Sequence, residues 1–108
     1  MSNLHLKPQP TLGDIQKYVD DMLHERGFKD QSIMQECMML TEEVGELMKC
    51  VRKTGGMRMD AAKTYDIDPA GEIADILIVL TSIANRLGVD MEQAFRDKEE
   101  KNKRRTWK

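Results

Sequence analysis

The stretch from Ile73 to Leu80 is apolar at every position except Asp75. If it forms an α-helix, with 3.6 residues per turn, its apolar side chains point to all sides. A helix that is apolar all round is buried all round, and a chain of 108 residues seldom surrounds a helix that fully. We therefore expect a second copy of the chain to cover part of it. Asp75 then needs a partner, because an unpaired buried carboxylate is costly.

Helical spacing of apolar residues recurs in four segments, which predicts an all-α fold. The predicted helices begin at Thr11, Ser32, Pro69 and Asp90, and the first three end near Gly27, Lys53 and Leu87. Capping residues mark the starts, as where Asp68 precedes Pro69. Residues 1–10 contain two prolines and are expected to form a flexible N-terminal arm. Residues 11–108 are expected to form one domain.

The second predicted helix has two different sides. Its apolar residues fall within an arc of about 100°, as expected of a face that packs on a core. They are Ile33, Cys37, Leu40, Val44, Leu47, Met48 and Val51. Glu43 borders this arc, whereas Glu42 and Glu46 lie well round from it. The acids therefore occupy a side of their own.

Both cysteines, Cys37 and Cys50, lie on the second predicted helix. At 1.5 Å per residue they are about 20 Å apart, beyond the reach of a disulfide bond. Reduced cysteines that fill a core fit a cytoplasmic protein. The sequence also contains no apolar run typical of a signal peptide or of a membrane span. We therefore expect a soluble, cytoplasmic protein without a membrane partner.

Two acidic motifs suggest a metal site. In Glu42-Glu43-x-x-Glu46 and Glu72-x-x-Asp75, two acids stand three residues apart, so that each pair shares one face of a helix. If the two helices lie side by side, four carboxylates meet, and their mutual repulsion favours a bound cation. An all-oxygen set of ligands selects a hard cation, so we expect Mg²⁺, with Mn²⁺ as the next choice.

The alternatives to a Mg²⁺ site are a solvated acidic face, a di-iron site and a phosphate-binding loop. The first motif alone would also suit a solvated helix face with weak ion pairs. A di-iron site of the ferritin type is disfavoured, because neither His5 nor His24 has the Glu-x-x-His spacing of such bundles. A glycine-rich phosphate loop ending in Gly-Lys is absent as well.

The order and spacing of four segments resemble the MazG-like nucleotide pyrophosphohydrolases. The segments are Leu40–Leu47, Glu72–Leu77, Asn85–Asp90 and Lys98–Arg105, and the resemblance covers about residues 11–106. It implies a four-helix fold completed by oligomerisation, as a homodimer or a dimer of dimers. It also implies Mg²⁺-dependent hydrolysis of a nucleoside triphosphate to the monophosphate and pyrophosphate.

The resemblance also assigns roles to the acids. In the family's pattern, the metal ligands are Glu43, Glu46, Glu72 and Asp75. Glu42 is the catalytic candidate, and the resemblance implies that it either lies just outside the metal ligands or helps to orient the attacking water.

Residues 96–108 carry seven Lys and Arg residues against three acids. Lys98, Lys101 and Arg105 are spaced to share one helix face, with Asn102 beside them. These residues could contact phosphate oxygens, or they could form a solvated helix end. The resemblance favours phosphate binding.

Three aromatic residues, Phe28, Tyr65 and Trp107, could each stack on a nucleobase, although simple packing accounts for each of them more readily.

We therefore expect an enzyme that removes noncanonical or surplus (deoxy)nucleoside triphosphates. A dUTP- or dCTP-specific enzyme and a phosphoribosyl-ATP pyrophosphohydrolase are alternatives within the same class. The alternative from another class is a non-catalytic helical interaction module with an acidic metal-binding face. Nucleic-acid binding is not expected, because the basic tail would act against an acidic body.

Overall fold

A computed structural model of the chain describes residues 2–56 and 68–107. These residues form four α-helices and no β-strand. The helices are α1 (Leu12–Glu25), α2 (Ile33–Thr54), α3 (Pro69–Arg86) and α4 (Met91–Lys103). The predicted all-α class is confirmed, and the helices begin and end close to the predicted positions. Most of the segment between α2 and α3, residues 57–67, lies outside the described residues.

Hydrogen bonds at the helix starts explain where α1 and α2 begin. The Thr11 and Ser32 side chains accept bonds from the backbone N–H groups of Asp14 and Gln35. In return, the Asp14 and Gln35 side chains accept bonds from the backbone N–H groups of Thr11 and Ser32. These reciprocal bonds satisfy N–H groups that a helix start leaves without an internal partner. Hydrogen bonds from Thr11 and Lys7 also hold the pKa of Asp14 below its ordinary value.

The chain divides into two compact units, one formed by Met1–Asp30 with Thr81–Lys108 and the other by Gln31–Leu80. Helix α3 contributes to both. None of the helices in the described residues has the length and apolar character needed to cross a membrane.

In the first unit, Gln16 joins α1 to the segment between α3 and α4. Its side-chain Nε2 donates to Asn85 Oδ1 at 2.9 Å and to the carbonyl oxygen of Val89 at 2.8 Å. Its Oε1 accepts from the backbone N–H of Met91 at 3.0 Å, and its carbonyl oxygen accepts from Asn85 Nδ2 at 2.9 Å. One glutamine thus fixes the start of α4 against α1.

The predicted N-terminal arm lies along α1 in the same unit. Ser2 Oγ donates to the Glu25 carboxylate at 3.0 Å, at the end of α1. The Lys7 ammonium lies 3.3 Å from the Asp14 carboxylate, near the start of α1. The arm therefore runs antiparallel to the helix.

In the second unit, the buried side of α2 differs from the predicted core stripe. Glu36 and Cys50 are buried, and Glu43 between them is half-buried, all at the seven-residue spacing of one helix face. Five members of the predicted stripe are exposed: Ile33, Cys37, Val44, Met48 and Val51. The prediction is wrong for the single chain, because an apolar pattern does not distinguish residues buried within a chain from residues that another surface covers.

Helix α3 is not buried all round within the single chain, and the prediction that a second copy covers part of it stays a prediction. Ile73 is 57% exposed, and Leu77 and Leu80 are exposed as well. Asp75 is exposed rather than surrounded by apolar groups. Burial is concentrated in the C-terminal half of α3, at Val79, Thr81, Ser82, Ile83 and Ala84.

Thr81 provides a test of packing in the first unit. It is fully buried, and its hydroxyl has no hydrogen-bond partner among the described residues. Thr81→Val replaces the hydroxyl with a methyl group of similar size, so we expect the free energy of unfolding to rise by about 1–2 kcal/mol. Thermal unfolding followed by circular dichroism measures the change. Thr81→Ser is the matched control, since it keeps the hydroxyl. A lower melting temperature for Thr81→Val would contradict the prediction.

Candidate metal centre

Three carboxylates from two helices come together in the second unit. Glu43 of α2 and Glu72 and Asp75 of α3 each offer one oxygen, and these oxygens lie within 4.8 Å of one another. Oxygens bound to one Mg²⁺ at about 2.1 Å each can be at most about 4.2 Å apart. Small side-chain rotations would therefore bring all three onto a single ion.

The electrostatics of the cluster favour a positive charge. Loss of hydration raises the pKa of Glu43 above its ordinary value, and the charges of Asp75, Glu72, Glu42 and Glu46 raise it further. Loss of hydration also raises the pKa of Glu72, followed by the charges of Asp75, Glu46 and Asp68. Protons or a cation would relieve this repulsion.

The two other acids of the first motif lie outside the triad. Glu46 is exposed, and its carboxylate lies 3.6 Å from the Lys49 ammonium, one turn along α2. Its charge nevertheless acts on both Glu43 and Glu72. Glu42 is exposed, and its charge acts on Glu43. The structure thus joins three of the four predicted metal ligands and leaves Glu46 beside them.

Glu36 is an acid of α2 that the sequence analysis missed. Only 2% of its surface is exposed, and it lies two turns before Glu43 on the same face. The seven-residue spacing of Glu36, Glu43 and Cys50 was the available signal, since it marks one side of a helix. A search for apolar residues at helical spacing does not find this side of α2, because two of its three residues are acids.

The predicted phosphate-binding residues belong to the first unit. Lys98 and Lys101 are exposed on one side of α4, and Asn102 is half-buried. Helix α4 ends at Lys103, so Arg105 does not share its face as predicted. The physical reason is a tightened last turn, in which the Arg105 backbone N–H bonds the carbonyl oxygen of Asn102 at 3.1 Å.

The opposite side of α4 lines a groove of about 320 Å³ with Leu12 of α1. In the described part of the chain, none of the four phosphate-binding candidates lines this groove. The groove is therefore not where the predicted phosphate contacts would be made.

The aromatic candidates are exposed where they are described. Trp107 is 69% exposed, and the Arg105 guanidinium lies 4.6 Å from the centre of its ring. Phe28 is 44% exposed, and Tyr65 lies outside the described residues. Trp107 and Phe28 therefore each present part of their ring to solvent.

Comparison with known proteins decides the family. The model of the MazG nucleotide pyrophosphohydrolase domain matches residues 30–108. The chain belongs to the MazG family. The match includes both acidic motifs and the basic segment at the end of the chain. The predicted family is therefore confirmed, and with it the class of enzyme, a hydrolase that acts on nucleotide phosphoanhydride bonds.

Individual relatives agree with this family. YpjD of Bacillus subtilis (strain 168) is 37% identical over 86 residues, which cover 78% of this chain and 76% of YpjD. The crystal structure of YpjD from Bacillus subtilis superposes with a TM-score of 0.76 and 31% identity, covering 93% of this chain and 100% of that one. A dATP/dGTP diphosphohydrolase of Salmonella phage PMBT28 is 33% identical over 97 residues. That match covers 90% of this chain but only 28% of the phage protein.

Repulsion within the triad predicts opposite effects of one substitution with and without metal. The ionised form of the Glu43 carboxyl group is disfavoured in the folded protein, and Glu43→Gln removes its charge. In a chelating buffer, we therefore expect the variant to have a higher melting temperature than the wild type. With Mg²⁺ at a hundred times its dissociation constant, binding should raise the free energy of unfolding of the wild type by about 2.7 kcal/mol and that of the variant by much less. Thermal unfolding with and without Mg²⁺ measures both effects. Glu25→Gln, at the end of α1, is the control and should show neither effect.

The pH dependence of the metal-free protein follows from the same repulsion. The pKa values of Glu43 and Glu72 are raised in the folded protein, so that the folded state holds more protons than the unfolded state. The stability that the Glu43 and Glu72 carboxyl groups contribute is present below the ordinary pKa of glutamate, and it is lost as pH rises through their raised pKa values. We expect Glu43→Gln to reduce this loss in chemical unfolding at a series of pH values. An unchanged pH profile for the variant would contradict the prediction.

Proposed function

We propose that this MazG domain is a Mg²⁺-dependent nucleoside triphosphate pyrophosphohydrolase. It would hydrolyse a (deoxy)nucleoside triphosphate at the bond between the α- and β-phosphates, releasing the monophosphate and pyrophosphate. The convergence of Glu43, Glu72 and Asp75 from two helices carries this proposal. Membership of a nucleotide pyrophosphohydrolase family supports it.

The residues of the triad fit Mg²⁺, with Mn²⁺ as the next choice. All three ligands are carboxylate oxygens, which hard cations prefer. Glu43, Glu72 and Asp75 would hold the ion, and Glu46 would join them by exchanging its contact with Lys49 for the metal. When bound, the ion supplies the positive charge that attracts the triphosphate and polarises its phosphoryl oxygens.

Other residues of the chain would position the reactants. Glu42 is exposed beside Glu43 and would orient the attacking water by accepting a hydrogen bond from it. The basic candidates would bind the outer phosphate oxygens, and they are Lys98, Lys101, Asn102 and Arg105. The two lysines are exposed and carry positive charge, which supports this role.

We propose that the substrates are noncanonical or surplus nucleotides, so that the protein cleans the nucleotide pool. The name of the phage relative adds dATP and dGTP to the candidates. Activity specific for dUTP or dCTP, or for phosphoribosyl-ATP, is the alternative within the class. The two cysteines, Cys37 and Cys50, are free, which supports a reducing cytoplasmic location.

We also propose that the chain acts as a homodimer or a dimer of dimers. Helices α2 and α3 of the second unit present large apolar side chains to solvent. Those at least 37% exposed are Ile33, Met34, Met38, Val44, Met48, Val51, Ile73, Leu77 and Leu80. Exposed apolar surface of this kind is typical of an interface between protein chains.

Loss of a metal ligand tests the activity. We expect Asp75→Asn to lower the rate of pyrophosphate release by about a hundredfold or more, because even outer partners of a metal site contribute 10- to 100-fold. The assay compares dATP, dGTP, dUTP, dCTP and phosphoribosyl-ATP, each with and without Mg²⁺. Circular dichroism checks that the variant stays helical, and Glu25→Gln should keep full activity.

Two outcomes would contradict the proposal. One is full activity of Asp75→Asn. The other is a wild type that binds Mg²⁺ but hydrolyses none of these substrates, which would favour a non-catalytic interaction module.

A further inference from the structure

At the start of α3, next to the acidic cluster, Asp68 accepts two hydrogen bonds from backbone N–H groups. Asp68 Oδ1 accepts a hydrogen bond from the backbone N–H of Gly71 at 3.0 Å. The carbonyl oxygen of Asp68 accepts another from the backbone N–H of Glu72, also at 3.0 Å. Asp68 is thus the cap of the helix that carries Glu72 and Asp75, and it shares their side of the helix.

Gly71 makes this cap geometry accessible. A Cβ atom at position 71 would lie 2.1 Å from Asp68 Oδ2 and 2.8 Å from its Cγ, far below van der Waals contact. With any other residue at position 71, the Asp68 carboxylate would therefore have to rotate away from its present position. By contrast, a Cβ at Gly45 in α2 would meet nothing within 4 Å.

An alanine at position 71 would force the capping carboxylate of Asp68 to rotate out of the position it holds. The cap in turn matters most for Glu72, the first acid of the cluster along α3. The N–H groups of a first helical turn have no partners within the helix, so a turn without a cap frays. Fraying would move Glu72 more than Asp75, which lies nearly one turn deeper in the helix.

We propose that Asp68 and Gly71 are positioning residues that hold the first turn of α3, so that the Glu72 carboxylate meets Glu43 and Asp75 on the metal. This inference rests on the proposed function. Asp68 acts here through hydrogen bonds, not as a metal ligand. Asparagine would therefore replace it, since an asparagine side chain caps a helix as well as an aspartate does.

Binding of Mn²⁺ to the full chain, followed by electron paramagnetic resonance, tests the proposal without relying on activity. We expect Asp68→Ala and Gly71→Ala to weaken Mn²⁺ binding by about tenfold, as loss of an outer partner of a metal site does. Asp68→Asn should bind within about twofold of the wild type. Excess Mn²⁺ should restore the activity of Asp68→Ala, since a displaced ligand is recovered by mass action.

The chain offers a matched control for each substitution. Asp90 caps α4 in the same way, with its Oδ1 accepting from the Gln93 backbone N–H at 3.1 Å. Asp90→Ala removes a cap from a helix that carries none of the triad, so it should leave Mn²⁺ affinity unchanged. Gly13 lies at the start of α1, where a Cβ would be at an ordinary 3.6 Å from Thr11 Oγ1. Gly13→Ala should therefore also bind Mn²⁺ like the wild type.

The outcomes separate this inference from the proposed function. Wild-type affinity in Asp68→Ala and Gly71→Ala would overturn the positioning role and leave the proposed function standing. Equal losses in Asp68→Asn and Asp68→Ala would overturn it too, because the charge would then be the working feature. A wild type that does not bind Mn²⁺ would overturn the metal-dependent function, and the inference with it.

Discussion

Repulsion among three carboxylates is the constraint on which the candidate site depends. Glu43, Glu72 and Asp75 bring oxygens within 4.8 Å of one another, and the pKa values of the two glutamates rise as a result of lost hydration and neighbouring charge. A folded chain keeps such an arrangement at the expense of stability unless a cation binds there. The acidic cluster is therefore both the part of the structure that lowers stability and the site to which we assign the proposed function.

Helix geometry supplies this cluster in two ways. On α2, the side that carries Glu36, Glu43 and Cys50 is turned inward, so that an acidic side is buried where the apolar stripe is not. On α3, Asp68 caps the helix, and the backbone N–H of Glu72 bonds the carbonyl oxygen of Asp68, which closes the first turn. Helix α2 thus contributes Glu43 because of how the helix is rotated about its axis, and α3 contributes Glu72 because of where the helix begins.

Exposed apolar residues are the counterpart of this buried acidic side. The stripe of α2 and the outer side of α3 would both be ordinary core positions if another surface covered them. The same reasoning explains why the expected core of the single chain was wrong. Hydrophobic periodicity indicates which face of a helix favours burial, but it does not indicate which molecule would bury it.

Patterns along the sequence predicted the four helices and their capping residues, and the motifs indicated the MazG family and the acids that we propose as metal ligands. These features depend on neighbours within one or two helical turns, or on motifs that can be compared residue by residue. The three-dimensional fold sets which side of α2 is buried, brings Glu43 to Glu72 and Asp75, and leaves Glu46 outside the triad. The rotation of one helix against another is set by packing between residues far apart in the chain, and this packing leaves no regular period in the sequence.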